Sequence, residues 1–404
     1  MDSWARMVAA NDSSLASGVY GLLPSGYPKE RMEGLPWSTI SDEGTSDDSF
    51  IDIAMKSPDS WLRKAVEELR DAYLNPAEER FEIVQTGTPS LQSFDALLEL
   101  DLKTQESLVG VIQGGSGVAP RGRTLGDYRY RGDGKEKRNL FLISGDVILA
   151  GGRQKGAWAK HGEREFVIRA ITPSGGKSAI RYFSLIRQAI LLVMEGQGWH
   201  RAAQHAYRTR LLAKYKLAKN ESGAWPHGKI TQAWHVTSLP FVKSKLSLVH
   251  LRQITIGIFK KHLPMFLESP QSRDNVVDRT GDHGVAIGND HYGRSQACGV
   301  WSGTETADFR LASRGFQAIM HACPVDRSWP PFILQCSLLN LRTYEPLALD
   351  TARILLARHY GFEESTTTHI RNLVKNLCYQ FPFLYSHQVG RLNSPLHPCT
   401  TECH

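Results

Sequence analysis

Between Asn139 and Ile171 the hydrophobic period of this chain changes, and that change limits the architecture more than any other feature. On either side, apolar residues recur at helical spacing. Within it, Asn139–Ile143, the turn Ser144-Gly145-Asp146 and Val147–Ala150 read as a β-hairpin around a glycine. Phe166–Ile171 reads as a third short strand. Helices, then a small antiparallel sheet, then helices again give an α+β class, mainly helical.

The flanking helices are predicted from their spacing. Trp61, Leu62, Ala65, Val66, Leu69 and Tyr73 share one face of a helix that starts near Ser57 and stops at Asn75-Pro76. A second runs from Ser90 or Ser93 to Val111, and Gly114-Gly115-Ser116-Gly117 ends it. Further helices are expected over Ile180–Met194, Ala202–Lys219, Leu251–Leu263, Thr351–Tyr360 and Thr367–Gln380. The first 56 residues, rich in Ser, Gly, Asp and Pro, show no sustained period and are expected to be a mobile acidic tail. The expected organisation is therefore a tail (1–56), a partial helical segment (57–88), a main domain (89–320) and a helical appendage of no evident role (321–404). No internal repeat is present.

The charge is uneven. The chain of 404 residues carries +7 overall, yet residues 1 to 58 hold nine Asp/Glu against four Lys/Arg, a local −5. The remainder is accordingly about +12. His200–Asn220 contains Arg201, Arg208, Arg210, Lys214, Lys216 and Lys219 and no acid. Such a run suits a phosphate backbone, where Lys and Arg contacts supply most sequence-independent affinity. The plainer alternative is a solvated helix face. Lys260 and Lys261 extend the basic set. No apolar run reaches the roughly 18 residues of a membrane span, and no secretory leader is evident, so an intracellular address and no membrane partner are expected.

Several chemistries are set aside. Gly175-Gly176-Lys177-Ser178 lacks the glycine five residues ahead of the Gly-Lys pair that a phosphate-cradling loop requires; Ile171 stands at that place. A strand-to-helix turn is the better account, and no nucleotide partner is expected. Six scattered cysteines form no CxxC pair, which argues against a disulfide framework or a cysteine-rich zinc module. His397, Cys399, Cys403 and His404 offer soft ligands close together, although a frayed terminus explains them more simply.

What remains is an ordered series. Pro120-Arg121-Gly122 follows a helix and a glycine-rich break, and Lys155 follows the second strand of the hairpin. Leu251-Arg252-Gln253-Ile254 opens a helix, and His283 stands nine residues before Tyr292. Taken in this order, from about residue 90 to 320, they resemble the tyrosine recombinase superfamily. The likeness is to the fungal crypton-type recombinases and to related regions lying ahead of RecQ-like helicases. Ala224-Trp225 and Trp234 also resemble paired tryptophan elements of that group.

The resemblance implies a recombinase-type catalytic domain, double-stranded DNA as partner, self-assembly on DNA, a nuclear address and no cofactor or metal. It casts Arg121 and Arg252 as the arginines that grip the scissile phosphate, Lys155 as proton donor, His283 as a phosphate ligand and Tyr292 as nucleophile. That mixture suits metal-free phosphodiester cleavage. Planar guanidiniums hold the non-bridging oxygens bidentately, and a phenol stores the bond as a phosphotyrosine. The departures are Thr124 where an acid often stands, Gln253 where a histidine often stands, and His250 two residues before Arg252 in place of three. Alternative readings are an inactive, domesticated DNA-binding module, a helicase-associated fragment without ATPase activity, and an unrelated helical protein.

Overall fold

The computed structural model describes residues 2–24, 27–40, 42, 48–74, 91–134, 136–143, 145–152, 166–218, 221–262 and 303–320. The chain divides into two compact units, 1–317 and 318–404. All but three of the described residues belong to the first. The α+β class holds: among the described residues, helices accompany one three-stranded antiparallel sheet.

The N-terminal region departs from the sequence reading. Residues 1–56 are not simply a mobile tail, because Asp2–Gly21 forms α1, a 20-residue helix. Trp4, Met7, Val8, Leu15, Val19 and Leu22 recur at helical spacing, and all are buried. Their period is diluted by Ser, Asn, Asp and Gly, which hid it. α1 lies antiparallel along α5 (Leu91–Gly115), and small residues let the backbones approach. A Cβ on Gly18 would stand 2.7 Å from Thr104 Oγ1, one on Gly110 2.8 Å from Asn11 Cγ, and one on Gly114 3.3 Å from Met7 Cε. Trp4 Nε1 donates to the Gly114 carbonyl at 3.1 Å, pinning the helix start. Further along, Asp42 pairs with Arg138, both fully buried, and its Oδ1 accepts from Nη2 at 2.7 Å.

Three helices follow: α2 (Lys29–Glu33), α3 (Phe50–Met55) and α4 (Trp61–Leu74). α3 opens with a reciprocal cap between Ser49 and Asp52. α4 buries the apolar face its spacing predicted and packs on α8 (Arg187–Gly196).

The sheet comprises β1 (Leu140–Ile143), β2 (Asp146–Gly152) and β3 (Phe166–Ala170), in the order β1-β2-β3. Phe141 faces Ile148, and Ala150 faces Ile168. Gly145 turns the hairpin at φ 79°, which a side chain would strain. Phe309 of α12 (Gly303–Ile319) completes the small core on Phe141, Ile148, Ala150 and Ile168. Asp146 fixes that helix through Arg310, at 2.7 Å, and Arg314. The Gly175–Ser178 string lies in the opening turns of α7 (Pro173–Arg181), where Thr172 caps the Gly175 N–H at 3.3 Å.

A π-helical turn, Tyr182–Ile186, joins α7 to α8 inside what the sequence predicted as one helix. It aims Tyr182 at a buried polar cluster. Asp101 accepts from the Tyr182 hydroxyl at 2.6 Å, the Tyr207 hydroxyl at 2.8 Å and Gln105 Nε2 at 2.7 Å. Arg187, wholly buried, donates to the Tyr182 oxygen at 2.8 Å and lies over the Tyr207 ring at 4.4 Å. Four chain segments are joined by this cluster, the last through α9 (Arg201–Thr209).

α9 also corrects the sequence. The predicted basic helix over Ala202–Lys219 stops at Thr209, because the backbone beyond it is used elsewhere. Arg210 bridges Arg129 and Ala213 bridges Ala224 in extended pairs, while Leu211 N donates to the Tyr128 carbonyl at 2.9 Å.

Candidate active site

Arg121 is the N-cap of α6 (Gly122–Asp127), at the end of a segment held on three sides. From α5, Gln113 Nε2 donates to the Pro120 carbonyl at 3.3 Å. From β3, Arg169 Nε donates to the Val118 carbonyl at 2.7 Å. The third side is α11 (Leu248–His262), which carries Arg252.

Two close approaches define how α11 lies on this segment. A Cβ on Gly122 would stand 2.9 Å from Leu248 Cδ1, and one on Gly117 would stand 3.6 Å from Phe259 Cζ. Leu248, Arg252 and Phe259 share a face of the helix, being four and seven residues apart. Arg252 is thereby placed along the stretch Gly117–Gly122, which contains Arg121. Arg252 is nearly buried, and Arg121 is half-buried.

Tryptophans set the position of α11. Trp234, on α10 (His227–Val242), donates from Nε1 to the Leu246 carbonyl at 2.8 Å, just ahead of α11. Ser247 then caps the His250 N–H at 3.2 Å. Trp225 donates to the Ala213 carbonyl at 3.1 Å and fixes the start of α10. Gly126 permits α6 to seat there, since a Cβ on it would stand 2.5 Å from the Trp225 carbonyl oxygen. On the same face of α6, Gly122 leaves room for the exposed His227 imidazole, whose Nδ1 a Cβ would strike. The sequence reading missed His227 and the Gly122/Gly126 pair. The i, i+4 glycines were the available signal.

Lys155, His283 and Tyr292 lie outside the described residues, as do the side chains of Lys260 and Lys261 on α11. Of the five catalytic candidates, Arg121 and Arg252 are therefore the two that can be placed. The interval 263–302, which holds His283 and Tyr292, is bounded by α11 and α12. Those helices meet through Phe259 and Phe316, stacked at 5.4 Å, and Gly117 contacts both helices.

The basic run is less free than its composition implied. Arg208 pairs with Glu195; Lys214 pairs with Glu221 at 3.2 Å. Lys216 approaches Glu99 at 3.4 Å and Asp95 at 3.9 Å. Arg210 is half-buried, and burial followed by the neighbouring Arg129 lowers its pKa. Arg201 is exposed at the first residue of α9.

No protein-family model, curated protein or solved structure matches the chain. Among the described residues, no group of three or more His, Cys, Asp or Glu side chains could hold a metal ion. Nor is any described helix long and apolar enough to cross a membrane.

Proposed function

We propose that this protein acts on DNA in the manner of a tyrosine recombinase, with Arg121 and Arg252 gripping one scissile phosphate. The observation that carries the reading is the lie of α11 along Gly117–Gly122, through Leu248 at one end and Phe259 at the other. Two arginines 131 positions apart in sequence are brought to adjoining elements by it. Their support is rigid: a capped helix, a buried tryptophan bond and close glycine contacts. Rigid support of this kind is what transition-state stabilisation by fixed charges requires.

The chemistry follows from the residue types. The Tyr292 phenol gives up its proton to solvent as its oxygen attacks phosphorus, the bond to the 5′-oxygen breaks, and that oxygen takes a proton from Lys155. The guanidiniums hold the non-bridging oxygens while charge builds on them. His283, and His227 beside Gly122, can each donate a hydrogen bond to the same phosphate. The phosphotyrosine then conserves the bond for resealing by another 5′-hydroxyl. Lys155 lies three residues along the chain from Gly152, the last residue of β2. Gly151 packs against the Tyr128 hydroxyl at the far end of α6, so this strand end adjoins the element capped by Arg121.

A binding module without cleavage is the second reading. The departures Thr124 and Gln253, and the carboxylate partners of Arg208, Lys214 and Lys216, favour it. A nicked DNA carrying a 5′-phosphorothiolate separates the two, because its thiol leaving group traps the covalent adduct. Cleavage predicts an adduct in the wild type that is lost in Tyr292→Phe and Arg252→Ala, with salt-sensitive DNA binding kept. DNA binding with no adduct selects the module, and adducts persisting in Tyr292→Phe reject the nucleophile assignment.

A further inference from the structure

A cleft of about 350 Å³ opens between α3 and α4 on one side and α8 and α9 on the other. Its floor is apolar, formed by Met55, Val66, Leu191 and Leu192. Its rim carries four cations, Lys56, Arg63, Arg131 and Arg208, against two acids, Asp52 and Glu195.

Both acids are already engaged. Asp52 pairs with Arg131 through Oδ1, and its Oδ2 accepts from the Ser49 N–H at 3.0 Å and from the Ser49 hydroxyl. Glu195 pairs with Arg208. Lys56, exposed at the end of α3, and Arg63 on α4 are left as excess positive charge over the apolar floor. Arg63 Nη2 donates to the Met55 carbonyl at 2.7 Å, which holds the guanidinium across the gap between α3 and α4. Its Nε, inside the wall, meets no acceptor. A buried donor left unmet is destabilising, so a small turn of the guanidinium toward an acceptor in the cleft is favoured.

We infer that this cleft binds a phosphate-bearing ligand, the phosphate between Lys56 and Arg63 and a small flat or apolar body on Met55 and Leu192. One anchored guanidinium and one flexible ammonium over an apolar floor match a charged head joined to a ring. The volume suits a group about the size of a nucleoside, near the lower end of small-molecule pockets. A free mononucleotide and the phosphorylated end of a strand share this chemistry. The inference stands on the cleft alone and does not depend on DNA cleavage.

The test is calorimetric titration of the full chain with adenosine 5′-monophosphate, adenosine, and a 5′-phosphorylated or unphosphorylated trinucleotide. Binding of the monophosphate but not adenosine is expected, weakened about tenfold or more in both Lys56→Gln and Arg63→Gln, the scale of one charge-assisted hydrogen bond. Lys56 is exposed, so its substitution leaves folding intact if loss of the Met55 bond loosens Arg63→Gln. Binding of the phosphorylated trinucleotide alone assigns the same site to a strand end. Equal affinity for adenosine, affinity unchanged by both substitutions, or no binding of any phosphorylated probe overturns the inference. Covalent-adduct formation on phosphorothiolate DNA should be unaffected by either substitution, which keeps the two proposals separable.

Discussion

Asp12 places a carboxyl group inside the interface between α1 and α7, 5% exposed. Its Oδ1 accepts from the Thr172 hydroxyl at 2.9 Å, and the Gly175 N–H also bonds to the group. Burial outweighs both bonds and pushes its pKa from the ordinary 3.8 up to about 7. The folded chain therefore keeps a proton on Asp12 that the unfolded chain releases above pH 3.8. Between those values the folded state binds more protons, so stability falls as pH rises. At 1.36 kcal/mol per pKa unit, the loss accumulates to about 4 kcal/mol by pH 7 to 8. Asp12→Asn keeps an acceptor oxygen and cannot titrate. Urea unfolding of both proteins at pH 4, 5, 6, 7 and 8, followed by far-ultraviolet circular dichroism, should show the variant gaining steadily on the wild type. A constant gap across that range would refute the reasoning. A gap that opens in the wild type's favour would show that the N-terminus of α7 holds an anion.

Gly126→Ala should lower the melting temperature and cost about 1–3 kcal/mol, because the Trp225 carbonyl cannot step aside from the new methyl. Gly228→Ala, whose Cβ would meet nothing within 4 Å, serves as control and should hold or raise it. Asp101→Ala removes the shared acceptor of Tyr182, Tyr207 and Gln105 and leaves the buried Arg187 uncompensated, a loss of about 3–5 kcal/mol by urea unfolding. Arg208→Glu with Arg210→Glu should weaken binding to every DNA sequence alike, with the log–log salt slope falling by about 0.9 for each phosphate no longer neutralised. An unchanged slope would assign both residues to their bonds with Glu195 and the Asp127 carbonyl.

Strong periods and turn glycines carried the legible part of the fold. The hairpin around Gly145 and the buried face of α4 follow from residue order alone, since each is a local pattern with a local cause. α1 was missed because its apolar residues are spread among Ser, Asn and Gly, and its helix is stabilised by a distant partner, α5. The basic helix was read too long for a related reason. Residues 210–214 have helical composition but are claimed by extended pairing with 128–129 and 223–224, which no local signal announces. At the candidate site, the nearness of Arg121 to Arg252 depends on Leu248 and Phe259 meeting Gly122 and Gly117. Those approaches span more than 120 residues, and only the resemblance pointed to them.

The stack of Phe259 on Phe316 has a third member, Trp4, which meets Phe316 edge-on with ring centroids 6.3 Å apart. α1 therefore finishes its packing only after nearly the last described residues have been made. Until then its apolar stripe of Met7, Val8 and Leu15 has α5 and α7 for cover but no lid over Trp4. Synthesis interrupted before residue 316 would leave that indole, although bonded to Gly114, without its Phe316 cover, and shortened products should be more prone to aggregate.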